Sequence, residues 1–465
     1  MKYRYWLLIV VLFSCTNKMS SEPVTELETR EVTGNLKTVW EVLWGPDNHL
    51  WITERYGRIS RINPESGEIN HLVTISSVFE SGERGLMGMT LHPDFQSNPY
   101  VYVVYNYGTS QSTKIRIERY TYDGNILTSP LTLLENIQGA SVHDGARIMI
   151  GSDNKLWFTV GDAGNGSNAQ NLTNVNGKLC RMNLDGSVPD DNPFPGSMIW
   201  SFGHRNQQGL VFAKGKIYTS EHGASTNDEI NIIQKGRNYG WSNVEGYCDT
   251  PAEKIFCQEN NVVEPILSLT PTGTLAIAGI DFYSNDLIPE WKNSILITAL
   301  KTQLLLVAKL DEAGENVVSS TEYFNGKFGR LRDVCVSPDG RVFIATSNRD
   351  GRGPQQFRDS MDKIIEIKPA KSSGLNTIDE KNGINVFPNP SNGNFTIKLL
   401  NKSLKDSYVF ISDSMGKIIR NILETTEFVV WDGKDDSGTS CPDGIYNAVI
   451  RGSENTISVK LVLIR

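Results

Sequence analysis

Between Thr33 and Pro369 the chain keeps returning to one local pattern: a polar turn, a short apolar run, then a charged or glycine-rich loop. Pro46-Asp47-Asn48-His49-Leu50-Trp51-Ile52-Thr53-Glu54-Arg55 and Ser152-Asp153-Asn154-Lys155-Leu156-Trp157-Phe158-Thr159-Val160-Gly161-Asp162 show it most plainly. Lys214-Gly215-Lys216-Ile217-Tyr218-Thr219-Ser220-Glu221-His222 and Pro338-Asp339-Gly340-Arg341-Val342-Phe343-Ile344-Ala345-Thr346 repeat it. A sheet made of one such unit cannot bury its own faces, so units of this kind must stack, and irregular repeats of strands are the mark of a β-propeller. About 340 residues at a little over fifty per blade predict roughly six blades. The 41 Gly and 19 Pro, with few long helical patterns, agree with an all-β, turn-rich chain. Loops at one end of the channel in such a fold converge on a shared pocket.

The two ends read differently. Met1 to Lys18 has a basic start at Lys2 and Arg4, an apolar run from Tyr5 to Phe13, then Ser14-Cys15. That run is too short to span a bilayer and reads as an export signal over 1–14. Leu12-Phe13-Ser14-Cys15 looks like a lipobox, in which Cys15 would carry a lipid anchor; an ordinary signal peptide is the other reading. Residues 15–32 read as a linker, 33–370 as the propeller and 371–383 as a second linker through Lys371-Ser372-Ser373-Gly374. Beyond it, alternating runs such as Phe395-Thr396-Ile397-Lys398-Leu399 predict a small β-sandwich over 384–465. In the turn Asp432 to Ser437 the acidic residues suggest a solvated hairpin, because the closing Glu of an EF-hand loop is absent.

Lys and Arg number 45 against 53 Asp and Glu, a net charge of −8, with no long basic run. Binding to phosphate backbones, which is driven by cations, is therefore not expected. There is no G-x-G-x-x-G, P-loop or G-x-S-x-G, which removes the nicotinamide, phosphoryl-transfer and serine-nucleophile readings. The six cysteines form no C-x-x-C pair, so zinc is not indicated. Cys248 and Cys257 flank a short polar loop and are read equally as a disulfide or as two thiols.

Histidine is scarce, at six copies. Most will be structural, but His143 sits in the small-residue loop Ser141-Val142-His143-Asp144-Gly145-Ala146, where a general base could reach a substrate proton. Asp162 follows the next strand and would orient that imidazole or a sugar hydroxyl, or else cap its own turn. Arg205, Asn206, Lys301, Arg330 and Arg332 stand in separate loops; brought together they would suit a ligand with several carboxylates, and taken singly each reads as a surface ion pair.

The stretches Thr53-Glu54-Arg55, Gly85-Leu86-Met87-Gly88, Leu91-His92-Pro93-Asp94-Phe95, Gly203-His204-Arg205-Asn206, Glu221-His222-Gly223-Ala224, Gly236-Arg237-Asn238-Tyr239-Gly240-Trp241 and Arg332-Asp333-Val334, together with the His143 loop, run in order through 33–370. In this they resemble the glucose/sorbosone dehydrogenase family, specifically its soluble quinone-dependent sugar dehydrogenases. The resemblance implies a six-bladed propeller holding pyrroloquinoline quinone (PQQ) and Ca2+, with oxidation of the C1 hydroxyl of aldoses to lactones. His143 matches the general base and Asp162 a residue of the same pocket. Arg205, Asn206, Lys301, Arg330 and Arg332 match the positions that hold the cofactor, and the backbone carbonyls of Gly223 and Ala224 those that hold calcium. Glu83 and Ser167 stand where relatives use amides to contact sugar, and the segment Pro265 to Phe282 is short, which implies an open cleft and a broad range of aldoses. An external electron acceptor is implied as a partner. Asn385 to Phe395, Asp413-Ser414-Met415-Gly416-Lys417, Trp431 to Gly438 and Pro442-Asp443-Gly444-Ile445-Tyr446 resemble the C-terminal sorting domain of the type IX secretion system, which implies export to the periplasm, the cell surface or the medium. Two other readings compete: a binding propeller without turnover, and a lactonase whose metal would be held by Glu54, Glu221 and Asp228.

Overall fold

A computed structural model describes residues 25–269, 273–353, 355–358 and 361–370, and in the C-terminal part 384–387, 389, 391, 393–399, 408–414, 416–422, 428–451 and 456–464. The expected export signal, Cys15 and the linker at 371–383 lie outside these residues.

Six four-stranded antiparallel sheets follow one another in the propeller. The first five are each built from consecutive strands, beginning with Val39–Trp44, Leu50–Glu54, Arg58–Ile62 and Ile69–Thr74. The innermost strands Val39–Trp44, Leu86–Leu91, Ile148–Ile150, Gln207–Ala213, Ile277–Tyr283 and Leu331–Val336 each meet the next, and the last meets the first, so the ring closes. Burial falls from the axis outward. Ser294–Ala299 is buried throughout, whereas in its blade's outermost strand, Val317–Tyr323, five of seven residues are exposed. That gradient is why inner strands read as continuous apolar runs and outer ones do not.

The sixth blade takes Leu331–Val336, Val342–Thr346 and Asp362–Pro369 from one end of the propeller and its fourth strand, Leu27–Leu36, from the other. Leu27 pairs with Pro369 and Leu36 with Asp362. The propeller thus begins inside the stretch 15–32 read as a linker. In this outer strand only Val32 and Leu36 are buried, so Leu-Glu-Thr-Arg-Glu-Val-Thr looks like polar tether when read alone.

Across the axis, Arg147 ties three blades. Its guanidinium meets Glu41 at 2.5 Å and Asp333 at 3.1 Å, donates from Nε to the Gln208 carbonyl at 3.0 Å and lies over the Trp40 ring. An insertion in the fourth blade carries the helix Pro251–Asn260, capped by Thr250 and Glu253, and a disulfide joins Cys248 to Cys257 beside it. The C-terminal part has two sheets, of three and four strands, around Val386, Phe395, Ile411, Trp431 and Tyr446. Its acidic turn is self-satisfied: Asp435 Oδ1 accepts from Ser437 and Thr439, and Asp436 from Asn421.

Candidate active site

All six inner strands begin at one end of the channel, and there the loops enclose a cavity of about 410 Å³. Its wall draws together His143, Glu83, Arg205, Asn206, Gly223, Ala224, Lys301, Arg330 and Arg332, from five of the six blades and the loops between them. Arg55, Arg352, Asp144, Gln208 and His222 also line it; the sequence alone did not single these out. Six cationic side chains therefore face three acidic ones, Glu83, Asp144 and Asp350. Low-dielectric walls with an excess of one charge concentrate ligands of the other.

His143 sits with φ of +60° on a loop whose Gly145 and Ala146 are also left-handed. Its Nδ1 lies 2.8 Å from Asp162 Oδ1. A carboxylate can only accept here, so Nδ1 carries a proton, and in the neutral ring Nε2 offers a lone pair. No hydrogen bond to Nε2 is made among the described residues, and the side chain keeps 18% of its surface open. The same Asp162 Oδ1 caps its own turn through Gly164 N at 2.7 Å, while Oδ2 accepts from Trp241 Nε1 at 2.8 Å. One carboxylate thus both meets the His143 ring and caps its own turn. Its loop can lie against the His143 loop because residue 161 is glycine; a Cβ there would collide with the His143 carbonyl.

The cationic set is incompletely paired. Arg205 gives its Nη1 to the His222 carbonyl at 3.3 Å and stacks on Trp241; Arg332 gives its Nη1 to Gln208 Oε1 at 2.8 Å. Among the described residues the buried Nε atoms of Arg55, Arg205 and Arg332 have no acceptor, and His222 Nε2 has no hydrogen-bond partner. Burial pushes Arg332 down to about 10 and the His222 imidazole down to about 3, so the histidine is neutral. Arg330 is held by Asp350 at 2.8 Å, and Lys301 is exposed and donates to Thr274 Oγ1 at 3.4 Å. Asn206 accepts through Oδ1 from Gly145 N at 3.1 Å and from Gln208 Nε2 at 3.2 Å. Unmet buried donors cost about 1–3 kcal/mol each, and an anionic, oxygen-rich ligand in the cavity would satisfy them.

Gly223 and Ala224 spend their amides on Asp228 at 3.0 Å and Glu245 at 2.5 Å. Among the described residues no hydrogen bond ends on either carbonyl, so two hard oxygen donors remain, the kind calcium takes. Glu83 accepts from His143 N at 3.2 Å and pairs with Arg352 at 2.8 Å. Burial opposes its charge, but Arg352, the His143 amide and the neighbouring cations together hold its carboxyl below the usual range. Ser167, read as a sugar contact, does not line the cavity; it is exposed and bonds Asn165 Oδ1 at 2.8 Å. Glu54, Glu221 and Asp228 do not converge: Glu54 accepts from Lys37 N, Glu221 from His204 Nδ1 and Asp228 from Gly223 N. Among the described residues no three His, Cys, Asp or Glu side chains form a metal-binding group.

Comparison with known proteins agrees with this arrangement. Residues 36–356 match the family model described as glucose/sorbosone dehydrogenase, and 385–464 the secretion system C-terminal sorting domain. Quinoprotein glucose dehydrogenase B of Acinetobacter calcoaceticus is 31% identical over 410 residues, covering 70% of this chain and 86% of its own. An aldose sugar dehydrogenase of Escherichia coli is 28% identical, covering 75% and 97%. The PQQ-bound aldose sugar dehydrogenase structure from Streptomyces coelicolor superposes with a TM-score of 0.64 at 30% identity, covering 75% of this chain and all of its own. With its propeller matched from 36 to 356, the chain belongs to the glucose/sorbosone dehydrogenase family and carries a secretion sorting domain behind it.

Proposed function

We propose that the protein is an exported PQQ- and calcium-dependent aldose dehydrogenase that oxidises the C1 hydroxyl of sugars to lactones. The observation that carries this is the meeting, in one cavity, of a base with a free Nε2 and three guanidinium groups with unmet donors. Arg205, Asn206, Lys301, Arg330 and Arg332 would hold the carboxylates and quinone oxygens of PQQ, and the Gly223 and Ala224 carbonyls the calcium. When bound, PQQ supplies the two-electron acceptor for the C1 hydride and calcium a Lewis acid beside it.

The chain's own work is to place and deprotonate the sugar. His143 Nε2 takes the C1 hydroxyl proton, and Asp162 steadies the resulting imidazolium through Nδ1. One proton to His143 and one hydride to the acceptor account for the two hydrogens lost. Glu83, beside the His143 amide, is the proposed sugar contact. Ser167 is left out, since it does not reach the cavity. An external acceptor would reoxidise the enzyme, and export would follow from the sorting domain at 385–464.

Purified protein reconstituted with PQQ and Ca2+ is expected to reduce an artificial dye with a panel of aldoses. His143→Ala should lower kcat by about 10²–10⁴-fold while still binding the quinone. Absence of turnover on every sugar would reject the proposal in favour of a binding propeller.

A further inference from the structure

Behind the His143–Asp162 pair lies a buried cation that none of the roles above uses. Lys178, on the strand Lys178–Asn183, has no exposed surface. No carboxylate pairs with it among the described residues. Its Nζ donates instead to two backbone carbonyls, Asn168 O at 2.8 Å and Asn176 O at 2.6 Å. Each of those residues sends its side-chain amide back to the loop that carries Asp162. Asn168 Nδ2 reaches the Asp162 carbonyl at 2.9 Å, and Asn176 Nδ2 the Gly161 carbonyl at 3.2 Å. One ammonium thus grips two asparagines, and the two asparagines grip the successive peptides that set where the Asp162 carboxylate stands.

We propose that Lys178 is a positioning residue for the oxidation, bracing the Gly161–Asp162 turn through Asn168 and Asn176 so that Asp162 fixes the His143 ring for proton abstraction. The inference rests on the reading of His143 as base.

Energetics separate this role from simple stability. A buried ammonium is expensive to desolvate, and well-packed apolar replacements of buried charges are often neutral or stabilising. Burial pushes Lys178 down to about 8, and the thiol of Cys180 two residues along its strand up to about 12. Methionine there would remove that desolvation cost but leave the Asn168 and Asn176 carbonyls without the ammonium donor. Positioning makes a different demand, since displacing a catalytic group by about 1 Å can cost of order 100-fold in rate.

The test is Lys178→Met in the full chain. The expected result is kcat per folded molecule lowered by about 10–100-fold, with KM and quinone affinity within about twofold. The isotope effect with C1-deuterated aldose should rise as the chemical step becomes limiting. Without cofactor, 15N NMR of the His143 ring should show one tautomer, Nδ1–H, in the parent and a mixture in the variant. Unchanged kcat per folded molecule, or a single His143 tautomer in both proteins, would overturn the proposal. Should Lys178→Met not fold, Asn176→Ala cuts the same brace one link on and must lower kcat alone; wild-type kcat there would also overturn it. A parent inactive on every aldose, whose His143 tautomer still responds to Lys178, would reject the dehydrogenase reading while leaving the brace standing.

Discussion

The two ends of the propeller channel are built from the same six inner strands, yet they treat their polar groups in opposite ways. Where the strands begin, Arg55, Arg205 and Arg332 each keep a buried Nε without an acceptor among the described residues. Where they finish, a larger cavity of about 540 Å³ is lined by Glu41, Asp281, Asp333 and Arg147, among others. There the charges are claimed by the fold: Asp281 accepts from Phe282 N and Val336 N, both at 2.7 Å, Asp333 accepts from Val42 N at 2.7 Å, and Arg147 pairs with Glu41 and Asp333. The two ends differ less in volume than in how their guanidinium groups are paired. Buried polar groups that satisfy one another hold blades together, and those left over await something from outside.

Four experiments would break or sharpen that contrast. The largest effect is expected at the satisfied end. Arg147→Met leaves Glu41 and Asp333 buried together without their cation, which should cost about 3–5 kcal/mol of unfolding free energy in urea titrations. At the other end Arg332→Gln should barely change stability but weaken PQQ binding by about 10–100-fold, the worth of one hydrogen bond to a charged group. A variant that bound the quinone as tightly as the parent would erase the difference between the ends.

A smaller effect concerns pH. Burial pushes the Asp281 carboxyl up to about 7, whereas an unfolded aspartate titrates near 3.9. Between those values the folded chain holds a proton the unfolded chain has lost, so stability falls as pH rises through that window. Denaturation at pH 5 and pH 7.5 should show this loss, and Asp281→Asn should reduce it by about 1–2 kcal/mol, the shift being discounted for partial exposure. Smallest is Glu83→Gln, which opens the pair with the exposed Arg352. It should cost less than about 1 kcal/mol of stability and leave quinone affinity alone, with KM for sugar moving severalfold in steady-state assays.

Much of this was legible in the chain. Inner strands announce themselves because both faces are buried, as in Leu50–Glu54, and six such units predict the ring. Cavity residues at loop positions, such as His143 and Lys301, could be picked by residue type and by resemblance. Others could not. Leu27–Leu36 hides because an outer strand alternates with solvent and shows two buried residues in ten. Arg55 closes one of the repeated turn–strand runs, yet nothing local says that its Nε will be buried without an acceptor. Gln208 joins Arg332 and the Gly145 carbonyl only through contacts between blades, which no window of sequence contains. Ser167 fails for the converse reason: similarity of position along the chain does not carry a side chain to the wall of the cavity.

The latch formed by Leu27–Leu36 has a consequence for how the molecule comes into being. Glu31 and Lys363, which meet across it, are 332 residues apart in the chain. Contacts that distant form late and slowly, and during synthesis or export the earliest part of the propeller must wait, unpaired, until nearly all of the rest has emerged. Maturation that trimmed the amino terminus past Leu27 would leave the sixth blade with an open edge, so the permissible cut lies ahead of it.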